Sequence, residues 1–313
     1  MAIEMIACPD DNGRRLDRLL RKALPELPLS ALHRLLRQGR ILVDGKPAAA
    51  SCRVTEGSTI TVPEAASSPG VPLQSPGVAP TSAVHPLWEG AGLLILNKPA
   101  GIPVHGPGSL EIQVRSYLAG QLPPSLSFKP GPLHRLDQPT SGIIVFSRSI
   151  EGARYFSALL REGRLTKRYL ALVDGNLEAP TVWEDMLIRD TRREKTFVTS
   201  STRGRAAGAK EAGTRVIPLA STSRYSLIMA ELATGRTHQI RAQAAFHGHP
   251  LAGDRKYGGS FQPGGFLLHA AELAFPPDAP PEVPCVIKAP LPAPFSTRLQ
   301  EVFIATDYFL ACN

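Results

Sequence analysis

The tetrad His134-Arg135-Leu136-Asp137, followed by Gln138-Pro139-Thr140-Ser141-Gly142, concentrates groups able to do chemistry. Pro132 precedes it, and Pro139 and Gly142 follow, so it lies on a loop feeding the apolar stretch Ile143–Phe146. Loops held by a rigid sheet are where reactive groups are displayed. An aspartate two residues from an arginine can stay ionised at neutral pH, and an ionised aspartate can act as nucleophile or general base. Four residues alone are equally compatible with a turn aspartate beside a surface arginine. His247-Gly248-His249 with Asp254 has the residue types of a metal site. Yet Gly248 and Pro250 describe a helix end and a turn, and no further strong ligand stands at metal-site spacing. The expectation is a structural helix stop, and no metal. Cys8, Cys52, Cys285 and Cys312 are dispersed and form no CxxC, which speaks for reduced thiols in a cytosolic protein and against structural zinc.

These groups need a scaffold, and the composition bounds it. The chain has 313 residues, 43% hydrophobic and 20% charged, enough for a packed core and for a large domain with a small one. With 27 Gly and 30 Pro, many turns are expected rather than an all-helical protein. The net charge of +8 favours a polyanionic partner. No apolar run approaches the roughly 18 residues that span a bilayer. The start, MAIEMIACPDDNG, lacks the basic region of a secretory signal.

Residues 64–86 read EAASSPGVPLQSPGVAPTSAVHP, a near-repeat without helix or strand period, and are expected to be a linker. Before it, Leu16, Leu19, Leu20, Ala23 and Leu24 form the stripe of an amphipathic helix. Ser30 as N-cap, Leu32, Leu35 and Leu36 on one face, and Gly39 as stop predict a second helix. ILVDGKP predicts a strand entering an Asp44-Gly45 hairpin turn, with a further strand over Ser58–Val62. Residues 11–46 carry nine Lys or Arg against four carboxylates, on faces suited to phosphates.

The segment RRLDRLLRKAL…LSALHRLLRQGRILVDGKP resembles the S4 RNA-binding domain over about residues 13–63. The resemblance implies that Arg15, Arg18, Arg34 and Arg37 meet RNA phosphates.

Beyond the linker, strands are expected at LLILNK, GIIVFSRS, TKRYLALVDG (running into an Asp174-Gly175 turn) and YSLIMAELATG. RYFSALLREG is expected to be helical with Tyr155, Leu159 and Phe156 inward, and THQIRAQAAFHG to be a helix with Thr237 near its N-cap. Residues 189–215 hold eight Lys or Arg against three carboxylates; Phe197 and Val198 suggest strand edges, and RGRAAGAKEAG reads as a mobile loop. The result is α+β: a mixed, mostly antiparallel extended sheet in a domain over 87–313, with a small N-terminal domain over 1–63.

HRLDQPTSG resembles the catalytic loop of the RluA-type pseudouridine synthases. LLILNKPAGIPVHGPG, TKRYLALVDG and LATGRTHQIRAQAAFHGHPLAGDRKYG resemble further stretches of that family in its order. The resemblance implies the pseudouridine synthase fold and an isomerase of RNA uridine. Asp137 matches the family's essential aspartate, Arg241 the arginine that pairs with it, and Tyr169 the tyrosine that packs against the target base. Arg135 matches the arginine that helps hold the nucleotide out of the stack. Lys167 and His238 sit in matching motifs without an assigned role, and Arg236 is a candidate phosphate contact. Where the family usually has His after I-R-x, this chain has Gln243, and Pro139 follows Gln138 where a polar residue is usual. Both positions are expected to alter substrate contacts.

Such an isomerisation changes no redox state and consumes no energy. No cofactor is therefore expected, in keeping with the lack of a phosphate-cradling Gly-rich loop. The aspartate could attack the ribose, remove its C2′ proton or attack the uracil ring, and the sequence does not choose. The uridine must leave its stack at a cost of a few kcal/mol, partly returned by stacking on an aromatic ring. The expected partner is RNA, ribosomal RNA of the large subunit foremost and transfer RNA next, bound by a cytoplasmic monomer without membrane contact. Two other readings compete: an RNA-binding assembly factor that has lost the reaction, and a metal-dependent hydrolase using His247, His249 and Asp254.

Overall fold

The computed structural model describes residues 2–63, 84–199 and 208–303. Most of the 64–86 linker, the middle of the 189–215 segment and Cys312 lie outside the described residues. Two compact units are formed. One takes in residues 1–84, 112–131 and 147–153, the other residues 85–111, 132–146 and 154–313.

The first unit opens with β1 (Ala2–Ile6), then α1 (Leu16–Ala23), α2 (Leu29–Arg37), β2 (Leu42–Val43), β3 (Lys46–Pro47) and β4 (Thr59–Pro63). The four strands form one sheet in the order β1-β4-β2-β3. The leucine stripes do what their spacing requires: Leu16, Leu19, Leu20, Leu32, Leu35 and Leu36 are buried in one core with Ile41, Ile60 and Val62. Asp44 and Gly45, at φ 50° and 76°, make the tight turn between β2 and β3. β1 was not expected, and Pro28 rather than Ser30 caps α2. Asp11 is fully buried. Its carboxylate accepts hydrogen bonds from the backbone N–H groups of Cys8 (3.1 Å), Leu126 (3.0 Å) and Ser127 (3.1 Å) and from the hydroxyls of Ser125 and Ser127. Leu126 packs on the same core.

The chain continues through β5 (Pro86–Gly90), β6 (Leu93–Lys98), α3 (Leu110–Leu118), β7 (Ser141–Ser147), α4 (Ile150–Arg161), β8 (Thr166–Asp174), β9 (Thr181–Asp190), β10 (Lys195–Thr199), β11 (Lys210–Ser221), β12 (Tyr225–Leu232), α5 (Gln239–Phe246), β13 (Leu268–Ala274), β14 (Val286–Lys288) and α6 (Ala293–Val302). Ten of these strands make one sheet, ordered β10-β9-β11-β12-β8-β13-β7-β6-β5, with β14 beside β13. β8 pairs antiparallel with β12 and β13, whereas β13 pairs parallel with β7. The mixed, mostly antiparallel α+β architecture expected from the strand pattern is what the chain builds. β7 lies so close to β13 that a Cβ on Gly142 would stand 2.3 Å from the Ala270 carbonyl oxygen.

Three local expectations are corrected. The RGRAAGAKEAG segment is strand from Lys210 onward, because β11 is held on both sides, by β9 and β12. Pairing thus overrides the weak strand propensity of Lys, Ala and Gly. In α4 the buried side chains are Phe156 and Leu159, with Tyr155 only half-buried. Thr237 does not cap α5; the residue before that helix is His238, in the left-handed region at φ 55°. β8 shows how the sheet serves both faces. Leu170 and Leu172 face the core that contains Phe295 and Leu299 of α6, so Tyr169 points to the opposite face, towards α5.

Candidate active site

The loop carrying Asp137 is fastened at several points. Leu133 N–H donates to the Val145 carbonyl (2.8 Å), and Val145 N–H donates to His134 Nε2 (3.0 Å). His134 also stacks on Phe156, with centroids 5.9 Å apart. Burial, then the nearby Lys167 ammonium, pushes the pKa of His134 down to about 4, so its ring stays a neutral acceptor. After Asp137 the chain turns, with Thr140 N–H on the Asp137 carbonyl (3.0 Å). The Gln138 carbonyl in this turn accepts from Gly101 N–H (2.9 Å) and from Lys98 Nζ (3.0 Å). Lys98 is completely buried and also donates to the Pro99 carbonyl at 2.8 Å. Desolvation lowers its pKa to about 8 despite the pull of the Asp137 carboxylate. The N-K-P-A-G segment is therefore a clamp on the Asp137 turn.

Arg241 reaches the same point from α5. Its Nε and Nη2 bind Asp254 at 2.6 and 3.0 Å, and its Nη1 binds Asp137 Oδ2 at 3.1 Å. Burial disfavours the cation, but Asp254 and Asp137 more than offset it, so the guanidinium pKa is raised. The rings of Phe266 and Tyr257 lie 4.5 and 5.0 Å from its Cζ. His238 Nε2 stands 3.6 Å from Asp137 Oδ2. The turn before α5 is organised by Gln239. Its Oε1 accepts from Thr234 Oγ1 (2.7 Å) and Arg236 N–H (2.9 Å), and its Nε2 donates to the Gly213 carbonyl and Thr214 Oγ1.

A solvent-open cleft of about 520 Å³ lies over these groups, lined by Arg135, Asp137, Tyr169, Arg236, His238 and Arg241 among others. Tyr169 sits on β8 between Ala230 of β12 and Ala270 of β13, largely buried in the wall of the cleft. Burial, then the Asp137 carboxylate, raises the pKa of its phenol, which stays neutral.

Asp137, Arg241, Tyr169, Arg135 and Arg236 are thus brought to one cleft. Arg135 is exposed, and Arg236 Nε donates to the Glu211 carbonyl at 2.9 Å. In the first unit Arg18, Arg34 and Arg37 are exposed, whereas Arg15 is engaged by Asp17 at 2.8 and 3.1 Å and its charge is already matched. Gln243 does not line the cleft. It is fully buried, donates to Asp185 Oδ2 (2.8 Å) and the Trp183 and Ala212 carbonyls, and accepts from Thr214 Oγ1 (2.6 Å). The expectation that it touches substrate is therefore corrected. Asp254 is a buried partner of Arg241 rather than a ligand beside His247, which stacks on Trp183. Among the described residues no group of three metal-ligating side chains occurs. Lys98, Asp254 and His238 are the site residues whose roles sequence reasoning missed. All three stand in the matched motifs, the one signal that marks them.

Residues 92–246 match the profile of RNA pseudouridylate synthases, and residues 14–60 match the S4 domain. The chain is 31% identical to ribosomal large subunit pseudouridine synthase C of Escherichia coli and 31% identical to that of Vibrio cholerae. Each alignment covers 94% of both chains. The chain belongs to the RNA pseudouridylate synthase family. It is an isomerase converting uridine to pseudouridine in RNA. Two human structures share its fold: RNA pseudouridylate synthase domain containing 4 (23% identity, TM-score 0.56, covering 69% of this chain and 92% of that one) and domain containing 1 (23%, 0.55, 73% and 98%).

Proposed function

We propose that this pseudouridine synthase modifies uridines of large-subunit ribosomal RNA and that Asp137 carries the reaction. The supporting observation is Asp137 Oδ2 held 3.1 Å from Arg241 Nη1 in a cleft that Tyr169 also lines. In the isomerisation the N1–C1′ bond of uridine breaks and a C5–C1′ bond forms. N1 gains a proton and C5 loses one, so atoms and charge balance without a co-reactant. Asp137 can serve as nucleophile on C1′, base at C2′ or nucleophile on the ring. In each case Arg241 holds the carboxylate, and a positive partner fixed beforehand costs no reorganisation during the reaction. Tyr169 offers its ring to the extruded uracil, Arg135 fills the vacated stack, and Arg236 meets a phosphate.

The target is inferred from the relatives' names and from the S4 match. Residues 1–63 would supply phosphate affinity through Arg18, Arg34 and Arg37, joined by the 64–86 linker to a catalytic domain over 87–313. Every residue in this scheme comes from one chain, so a monomer suffices. Pseudouridine mapping in RNA from cells with and without the gene tests the target: a large-subunit site should vanish with the gene. Loss confined to transfer RNA would redirect the proposal. Asp137→Asn should abolish product while leaving RNA binding intact; pseudouridine formation by that variant would remove Asp137 from the mechanism.

A further inference from the structure

Behind Asp137 a file of hydrogen bonds leads away from the cleft. Thr196 N–H on β10 donates to the Tyr257 hydroxyl oxygen (2.9 Å), and that hydroxyl lies 2.9 Å from His238 Nδ1. The far nitrogen of the ring, Nε2, is the atom 3.6 Å from Asp137 Oδ2. Tyr257 and His238 are both largely withdrawn from solvent. The Tyr257 oxygen already accepts the Thr196 N–H proton, so its own hydrogen needs an acceptor; His238 Nδ1 at 2.9 Å offers one, the Thr196 side chain the other. When Nδ1 accepts, the ring proton is on Nε2, facing the carboxylate. The opposite tautomer would send the phenol hydrogen to the Thr196 side chain and turn a lone pair of the imidazole towards the anionic Oδ2, which repels it. The backbone agrees. His238 occupies the left-handed region at φ 55°, ψ 23°, a conformation that costs a non-glycine residue energy and collects at functional sites. The turn holding it there is fixed by Gln239, and by Thr196 Oγ1 on the Thr237 carbonyl at 2.8 Å.

We propose that His238 is a positioning residue for the isomerisation: an imidazole, held by Tyr257 as the Nε2–H tautomer, that faces the same oxygen of the Asp137 carboxylate, Oδ2, that Arg241 binds. This rests on the reading of Asp137 as the reacting carboxylate. Burial above all lowers the His238 pKa; Asp137 pulls it up and Arg241, Arg189 and Lys256 push it down, leaving it at about 4. The ring is thus uncharged at neutral pH and helps as a donor, not as a cation. At 3.6 Å the ring is just beyond hydrogen-bond reach, and closing that gap would give Oδ2 a second donor beside the guanidinium nitrogen at 3.1 Å, hindering rotation of the carboxylate.

Two measurements on the full-length protein test this. The first needs no substrate: nitrogen-15 spectra of the histidine rings, with His238 assigned by its loss in His238→Gln. A neutral His238 protonated at Nε2 is expected, with Tyr257→Phe releasing the preference. A ring protonated at Nδ1, or on both nitrogens at neutral pH, overturns the proposal. The second follows single-turnover tritium release from a large-subunit ribosomal RNA transcript labelled at uridine C5. His238→Ala should lower the rate constant about 10- to 100-fold with little change in the RNA concentration that saturates it. His238→Gln, which keeps an N–H near the Nε2 position, should recover most of that loss. Tyr257→Phe should fall between wild type and His238→Ala, and the double variant should be no slower than His238→Ala alone. A His238→Ala variant as fast as wild type, while Asp137→Asn is inert, defeats this inference alone. An active Asp137→Asn defeats the parent reading.

Discussion

Arg241 is oriented by Asp254 before it meets Asp137. The two-point contact, Nε to Oδ2 at 2.6 Å and Nη2 to Oδ1 at 3.0 Å, leaves Nη1 as the only terminus directed at the Asp137 carboxylate. The fork geometry of a guanidinium makes this possible, and an ammonium has no equivalent. Arg241→Lys should therefore lower the single-turnover rate about 100-fold while the protein stays folded. Asp254→Ala strands a buried cation with one partner and should cost about 3–5 kcal/mol of unfolding free energy, measured by urea denaturation. An Arg241→Lys variant of normal rate would show that the fork is dispensable.

Lys98 links the pH dependence of stability to the Asp137 turn. Its folded pKa, about 8, lies below the ordinary 10.5, so the folded chain binds fewer protons than the unfolded chain between those values. The burial penalty is fully present below about 8 and is relieved as pH rises towards 10.5. Relative to Lys98→Met, the wild type should gain stability across that window, and a constant difference in urea midpoint would refute the assignment. The variant should also be about tenfold slower, because the Gln138 carbonyl loses its ammonium donor.

For Asp11 the sign is reversed. Burial raises the pKa of its carboxyl, but the bonds from Ser127, Leu126, Cys8 and Ser125 together bring it below the usual value. Its contribution is present above the unfolded pKa, about 3.8, and is lost as pH falls through the lower folded value. Asp11→Asn should destabilise the first unit by about 1–3 kcal/mol at neutral pH. The gap to wild type should close as pH drops below 3.8.

Exposed arginines on the S4-like helices should act through counterion release. Replacing Arg18, Arg34 and Arg37 together by Gln should reduce the slope of log affinity against log salt by about 2–3. Arg15→Gln, whose partner Asp17 already neutralises it, should change the slope little. Equal effects from both would place the RNA elsewhere.

Elements written in local periodicity were legible. The Leu16–Leu20 stripe, the Asp44-Gly45 turn and the apolar runs of β6 and β7 could be read residue by residue. What depended on distant partners could not be. β1 pairs with β4, more than fifty positions away, and nothing within AIEMI announces that. Lys98 and Asp254 look like any surface charge until the fold buries them beside Gln138 and Arg241. The left-handed backbone of His238 is set by the Gln239 and Thr196 contacts, which exist only once β10 and β11 are in place.

The staple between Asp11 and residues 125–127 sets an order for biosynthesis. A chain leaving the ribosome from its N-terminus can pair α1 with α2 early, but all the donors to Asp11 save Cys8 N–H emerge more than a hundred residues later. Until then the carboxylate before the helix pair has only Cys8 N–H and water as partners. A recombinant fragment that stops at residue 63 would remain in that unfinished condition permanently, and one extended through residue 131 would carry its own fastener.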